Sequence, residues 1–198
     1  KKETLKTWRI IDVINWGVEY FGSKGFDNPR LEIEIFLQYI LNCEKINLYI
    51  DFEKEFSHSN LKKLKELIKR RTKKEPIQYI IGKASFYGRD FKVNENVLIP
   101  RPETEIIINV SIEFLSTKKN PYIVDVGTGS GCIGITLAKE FPSAQVIAID
   151  YSESILDIAR ENAKSVGAKN IEFIKFDFLK ENFNYLADLI VSNPPYIS

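Results

Sequence analysis

The sequence predicts an α/β protein, a Rossmann-like, doubly wound parallel sheet that follows a small helical bundle. Three observations predict it. From residue 122 onward, apolar runs at 122–126, 145–149, 171–176 and 188–191 alternate with helical patterns at 132–141 and 154–166. Such alternation marks parallel strands joined by helical crossovers. Within it, Val124 to Gly131 reads as a strand entering a glycine-rich turn and then a helix. The first third of the chain instead places its apolar residues at helical spacing.

In order along the chain, Leu5, Trp8, Ile11, Ile14, Val18 and Phe21 predict an amphipathic helix over 4–21, stopped by Gly22 and Gly25. Trp8 and Trp16 fall on it, and Trp8 is expected in the core. Asn28-Pro29 reads as a cap followed by proline at the first helical position, opening a helix that runs to Leu41. Asn60 is read as the cap of a further helix with Leu61, Leu64, Leu67 and Ile68 on one face, ending before Pro76. Residues 84–99 change to strand-like pieces broken by Gly88-Arg89 and by Asn94-Glu95-Asn96, a β-hairpin connector. Pro100-Arg101-Pro102 then opens a helix carrying Ile106, Ile107, Val110 and Phe114. The expected organisation is a helical substrate-recognition domain over 1–82, a hairpin connector over 83–100, and the α/β domain over 101–198.

Composition narrows the function classes. The 198 residues are 44% hydrophobic and 28% charged, with a net charge of +1. No global field draws the chain to nucleic acid or a membrane. No apolar run approaches the roughly 18 residues of a membrane span, and the first residues, with Asp12 and Asn15 interrupting the apolar positions, are not expected to be a signal h-region. Cys43 and Cys132 are too few for a disulfide or metal framework, which favours a reducing compartment. No metal site is expected. His58, the single histidine, reads as a loop or helix-start residue, and Cys132 as a buried, inert thiol. Eight Lys/Arg between Leu61 and Lys74 face one acid, Glu66. They read as a solvated helix face, with a docking face for an acidic partner or an RNA as the alternative. The chain has no methionine, even at position 1, as a processed or cut chain would.

Two motifs carry chemistry. In Gly127-Thr128-Gly129-Ser130-Gly131, glycines let the backbone approach a ligand at the start of a helix. Asp150 ends the next strand, about 20 residues on, where a carboxylate can grip ribose hydroxyls. Together they predict an adenosine-containing cofactor. Gly129 to Gly134 also satisfies the dinucleotide pattern, so the loop alone leaves a nicotinamide enzyme open. The second motif, Asn193-Pro194-Pro195-Tyr196, separates the two. It ends a strand on the edge where doubly wound sheets place ligands. The Asn193 side-chain oxygen and the Pro194 carbonyl offer two acceptors for a planar NH2 group. They would orient its nitrogen for attack on a sulfonium methyl, a reaction in which positioning is the main lever. Tyr196 can pack on the planar group or face the sulfonium, while Pro194 and Pro195 remove competing donors.

These stretches resemble the HemK/PrmC family, the protein-glutamine methyltransferases of peptide-chain release factors. The matching residues are Glu75 to Gly82, Phe86-Tyr87-Gly88, Leu98 to Glu105, Asp125 to Ile135, and Asp188 to Ile197. The resemblance implies transfer of a methyl group from S-adenosyl-L-methionine, leaving S-adenosyl-L-homocysteine. The acceptor is the side-chain amide of the glutamine in the Gly-Gly-Gln loop of a release factor. It implies that Gly127 to Gly131 line the methionine end of the cofactor and that Asp150 takes its ribose. Asp177 and Phe178 would border its adenine, and Asn193, Pro194, Pro195 and Tyr196 would hold the glutamine amide, with Asn193, Pro194 and Tyr196 catalytic. Within Pro100 to Glu105, Arg101 or Glu103 would touch the cofactor or, on the reading favoured here, simply join the domains. The implied protein is cytoplasmic and monomeric, with no nucleic-acid partner.

The family builds a seven-stranded sheet, whereas four strands are legible here, which reads as a C-terminally incomplete chain. The fourth strand is expected to leave an apolar edge. Two rival readings stay open. One is an amino-methyltransferase acting on DNA or RNA bases; the other is a non-catalytic cofactor-binding fragment.

Overall fold

The computed structural model describes residues 7–183 and 186–194. The chain divides into two units, 1–81 and 82–198.

The first unit contains five helices among the described residues: α1 (Ile10–Ser23), α2 (Pro29–Leu41), α3 (Lys45–Ile50), α4 (His58–Arg71) and α5 (Ile77–Ile81). Helix α1 begins at Ile10 rather than near residue 4. Arg9 is extended and bridges Glu55, and its N–H donates to Asp12 Oδ2 at 3.0 Å. Trp8 therefore precedes the helix and is only half-buried. Ile10, Val13, Ile14, Gly17 and Phe21 are its buried residues, and the expected Val18 packs half-buried against the same core. Helix α4 is capped by Ser57, whose Oγ accepts the Asn60 N–H at 3.2 Å; Asn60 itself lies inside the helix. The short α3 and α5 have too few turns to show a period in sequence. Phe21, Phe36, Leu37, Leu48 and Phe56 fill the core. Of the basic run, Lys62, Lys63, Lys65 and Lys69 are exposed, as expected of a solvated face. Arg71 is not: it makes two 2.7 Å bonds to Glu32 and lies over the Phe26 ring.

The second unit opens with β1 (Lys83–Phe86) and β2 (Arg89–Lys92), an antiparallel hairpin. Its turn is Tyr87-Gly88, with φ of +49° and +70°. Two left-handed residues match the twist of a tight hairpin, so Arg89 starts the second strand instead of lying in the turn. Phe86 and Phe91 are buried in the core of this unit. A 3-10 turn at Pro102–Thr104 leads into α6 (Glu105–Phe114). Of the apolar residues it carries, Ile106, Val110 and Phe114 are exposed and Ile107 packs half-buried against the core of this unit, while Ile108 and Ser111 are the buried residues of α6.

The main sheet holds β3 (Tyr122–Val126), β4 (Gln145–Asp150), β5 (Ile171–Lys175) and β6 (Leu189–Ser192), all parallel, in the order β5-β4-β3-β6. Helices α7 (Cys132–Glu140) and α8 (Glu153–Val166) make the crossovers between β3, β4 and β5. Residues Cys132 to Ala138 of α7 are all buried, as a helix apolar on every side must be. The order starts centrally at β3, goes outward to β5, then returns to the other side of β3 with β6. A ligand crevice forms where the order reverses, outside the carboxyl ends of β3 and β6. Ile190 on the β6 edge is half-exposed while Val191 is buried.

Candidate active site

Asp125, near the end of β3, organises the glycine loop. It is 1% exposed. Its Oδ2 accepts the Thr128 hydroxyl at 2.6 Å and the Gly134 N–H at 2.9 Å. Burial pushes its pKa up to about 6, against the pull of those two bonds, and the charge of Asp150 adds to the rise. A Cβ at Gly134 would lie 2.9 Å from that same oxygen, so glycine is required for α7 to approach the strand. The third glycine of the dinucleotide-like pattern is thus a packing requirement.

The loop itself turns through left-handed backbone, with φ of +69° at Gly127 and +58° at Gly129, and a Cβ at Gly127 would point into open space. Four of its five amides are already engaged. Gly127 and Thr128 N–H donate to Ile149 O, Gly131 N–H to Thr128 O, and Gly129 N–H to Asp150 Oδ2 at 3.2 Å. Asp150 is buried, and its Oδ1 accepts the Ser152 N–H at 3.3 Å. Each of its oxygens therefore keeps capacity for a further donor.

Asn193 follows β6 directly. Ser192 Oγ donates to Val126 O at 2.9 Å, tying the strand end to β3. Asn193 Nδ2 donates to Thr104 Oγ1 at 3.0 Å. Gly127, Thr128, Gly129 and Ser130 line one cleft with Arg101, Thr104 and Asn193. The two sequence motifs, about 60 residues apart in the chain, thus meet across the β3–β6 crevice.

The comparisons with known proteins divide the chain in a similar way. Residues 12–82 match the PrmC N-terminal domain and residues 107–198 the methyltransferase small domain. The chain is 41% identical to the release factor glutamine methyltransferase of Chlorobaculum tepidum, over 97% of this chain and 69% of that protein. This chain belongs to the release factor glutamine methyltransferase family. The family member from Geobacter sulfurreducens is 37% identical over 98% of this chain and 68% of its own length. A solved structure of an RNA methyltransferase from Salinibacter ruber in complex with S-adenosyl-L-homocysteine is 24% identical, with a TM-score of 0.40 over 48% of this chain and 60% of that one.

Of the residues that family membership brings into question, Asp177 and Phe178 lie after β5 and do not line the cleft shared by the loop and Asn193. Asp177 accepts the Leu179 N–H and pairs with Lys180 at 3.0 Å, which holds its carboxyl below the usual range. Phe178 is half-exposed, its ring against Phe176 and Phe183. Pro194 is exposed; Pro195 and Tyr196 lie outside the described residues. Glu103 is exposed, whereas Arg101 lines the cleft. Cys132 is buried, and burial pushes its thiol up to about 12, an inert group as expected.

Two residues escaped the sequence reading. Thr104 is buried and reaches Asn193 from inside the Pro100–Glu105 signature, where attention fell on its charged neighbours. Asn162, 1% exposed on α8, accepts the Lys92 N–H at 2.6 Å and donates to Lys92 O at 3.0 Å and Ser130 O at 2.8 Å. It clasps the hairpin to the glycine loop. Its one signal in sequence is an amide between apolar neighbours on the inward face of a helix.

Proposed function

We propose that this chain transfers a methyl group from S-adenosyl-L-methionine to the side-chain amide nitrogen of the glutamine in the Gly-Gly-Gln loop of peptide-chain release factors. The observation that carries this reading is Asn193 at the mouth of β6, in one cleft with the glycine loop, in a chain of this family.

The loop fits the cofactor better than a dinucleotide. A pyrophosphate needs free backbone N–H groups, and those of Gly127, Thr128, Gly129 and Gly131 are already bonded. Asp150 adds spare acceptor capacity, which suits ribose hydroxyls. On this reading Gly127 to Gly131 hold the amino-acid end, Asp150 the ribose, and Asp177 and Phe178 border the adenine. S-adenosyl-L-methionine, when bound, supplies an electrophilic methyl on a sulfonium.

The chain's own residues supply the positioning. Asn193 Oδ1 and the Pro194 carbonyl accept the two hydrogens of the substrate NH2, and Pro195 and Tyr196 share in binding the substrate. An amide nitrogen is a poor nucleophile, so its lone pair must be held in line with the methyl. Both acceptors strengthen as the nitrogen takes on positive character, which favours the transition state over the bound substrate. Neither oxygen is basic enough to remove a proton beforehand, so the proton leaves the strongly acidic methylated amide after transfer. The N-terminal unit serves substrate recognition. The protein works in the cytoplasm as a monomer without a nucleic-acid partner, a reading that the net charge of +1 supports.

The test is incubation of full-length protein with labelled S-adenosyl-L-methionine and a release factor, followed by peptide mapping. Label should appear on the Gly-Gly-Gln glutamine; its absence there sinks the proposal. Asn193→Ala should lower turnover by about 100-fold or more, with cofactor affinity kept within about threefold.

A further inference from the structure

We propose that Thr104 is a positioning residue that anchors the Asn193 amide with Oδ1 facing the substrate. The inference rests on the reading of Asn193 as the acceptor of the substrate NH2. Asn193 must present Oδ1 to that group, because its own NH2 would set donor against donor. The two ends of a side-chain amide have nearly the same shape, and the terminal torsion of Asn is broad and roughly two-fold. Backbone placement of Asn193 by β6 and Ser192 therefore leaves the choice of end open.

Thr104 holds the amide in one of these poses. It is 7% exposed, and the 3-10 turn places it where its hydroxyl accepts from Asn193 Nδ2 at 3.0 Å. Its own N–H is held by Arg101 O at 3.0 Å, so the turn fixes the backbone that carries the hydroxyl. With Nδ2 engaged on Thr104, Oδ1 is the end presented to a substrate. The Pro100–Glu105 segment thus acquires a role in the chemistry without touching the reacting atoms.

The test uses full-length protein with Thr104→Val, which keeps the shape and removes the acceptor, and Thr104→Ser, which keeps the acceptor. Thr104→Ala serves as a second, smaller deletion should valine fail to fold. The first readout needs no cofactor: the side-chain 15NH2 signals of Asn193, assigned by their loss in Asn193→Ala. They should shift and exchange faster with solvent in Thr104→Val or Thr104→Ala and stay near the wild-type position in Thr104→Ser. The second readout is kinetic. Thr104→Val should lower kcat by about 10- to 100-fold, with the cofactor Kd within about twofold, and Thr104→Ser should recover most of the loss. Unmoved Asn193 signals overturn the inference, as does a kcat within about twofold of wild type. So does a loss that serine does not rescue. Should the wild type label no release factor, the functional reading fails, while the 15N signals still report on the Thr104–Asn193 bond. The two failures are therefore distinguishable.

Discussion

Glu34 in the first unit and the pair Asp125 and Asp150 in the second are the buried carboxylates among the described residues, and their surroundings differ in kind. Glu34 is met by charge: Lys45 Nζ lies 2.8 Å from Oε2, Arg30 Nε lies 2.9 Å from Oε1, and the Tyr49 hydroxyl donates to Oε1. Asp125 and Asp150 are met by a hydroxyl and backbone N–H groups, with no cation among their described partners. A carboxylate neutralised by its own fold has finished its work in holding helices together. A carboxylate that is desolvated yet left without a counter-charge is poised to act on something else, here the glycine loop and, on the function proposed, a ligand. Buried polar groups follow the same division. Thr104, Ser111, Thr128, Ser130, Thr136 and Asn162 all belong to the second unit.

The largest test of this contrast is Asn162. Replacing it with Ala leaves the Lys92 N–H and the Lys92 and Ser130 carbonyls without their partner. A buried donor left unpaired costs about 1–3 kcal/mol, so the combined loss should be about 3–5 kcal/mol. Urea denaturation measures it, and cofactor calorimetry should show weaker binding because Ser130 is freed from the clasp. A loss below about 1 kcal/mol would mean that the hairpin and loop hold themselves.

The next test is pH, to which the two units should respond differently. Burial pushes the Glu34 pKa up, but Lys45, Tyr49 and Arg30 outweigh it and leave the group below its ordinary value of 4.5. Its contribution is therefore present above pH 4.5 and lost as pH falls through the lowered folded value. Asp125 is raised from 3.8 to about 6. Its contribution is complete below pH 3.8 and lost as pH rises through 6, a penalty on the order of 2–3 kcal/mol at neutral pH. Trp8 and Trp16 are the two tryptophans and both lie in the first unit, so fluorescence reads that unit. Hydrogen exchange, corrected for intrinsic rates, reads residues 82–198. Acidification from pH 7 to 5 should strengthen protection in the second unit and leave the fluorescence midpoint unchanged. Asp125→Asn should flatten the first response; a wild-type response in that variant would contradict the assignment.

The second unit was more legible in sequence than the first, for physical reasons. Parallel strands buried on both faces are continuous apolar runs, and the glycine loop and Asn193 sit at their ends, so β3 to β6 and their crevice follow from pattern alone. The first unit has only periodicity to offer. There α1 starts late because the Arg9–Asp12 bond and the bridge to Glu55 settle its first turn, and these are tertiary facts. Helix α6 was legible as a helix but its buried face was not. Ile106, Val110 and Phe114 repeat at helical spacing, yet the described residues bury Ile108 and Ser111. Periodicity identifies a face and is silent on what covers it. Thr104 and Asn162 were hidden because their partners, Asn193 and Lys92, lie 89 and 70 residues away.

The smallest effects separate two glycines with the same apparent purpose. At Gly17 a Cβ would lie 2.4 Å from Ile33 Cγ1, and at Gly134 one would lie 2.9 Å from Asp125 Oδ2. Alanine gains about 1 kcal/mol over glycine in a helix, but overpacking outweighs that gain, and each Gly→Ala should cost about 1–3 kcal/mol net. Their consequences should then part. Gly17→Ala presses on an apolar side chain, and a second change, Ile33→Ala, should recover part of the loss by making room. Gly134→Ala presses on the carboxylate that holds the Thr128 hydroxyl, so it should also weaken cofactor binding, by about tenfold. Gly17→Ala should leave cofactor affinity within about threefold. Calorimetry on both variants decides the matter. Equal effects on the cofactor would show that the second unit's buried polar network is ordinary packing, and the contrast between the two units would fail with it.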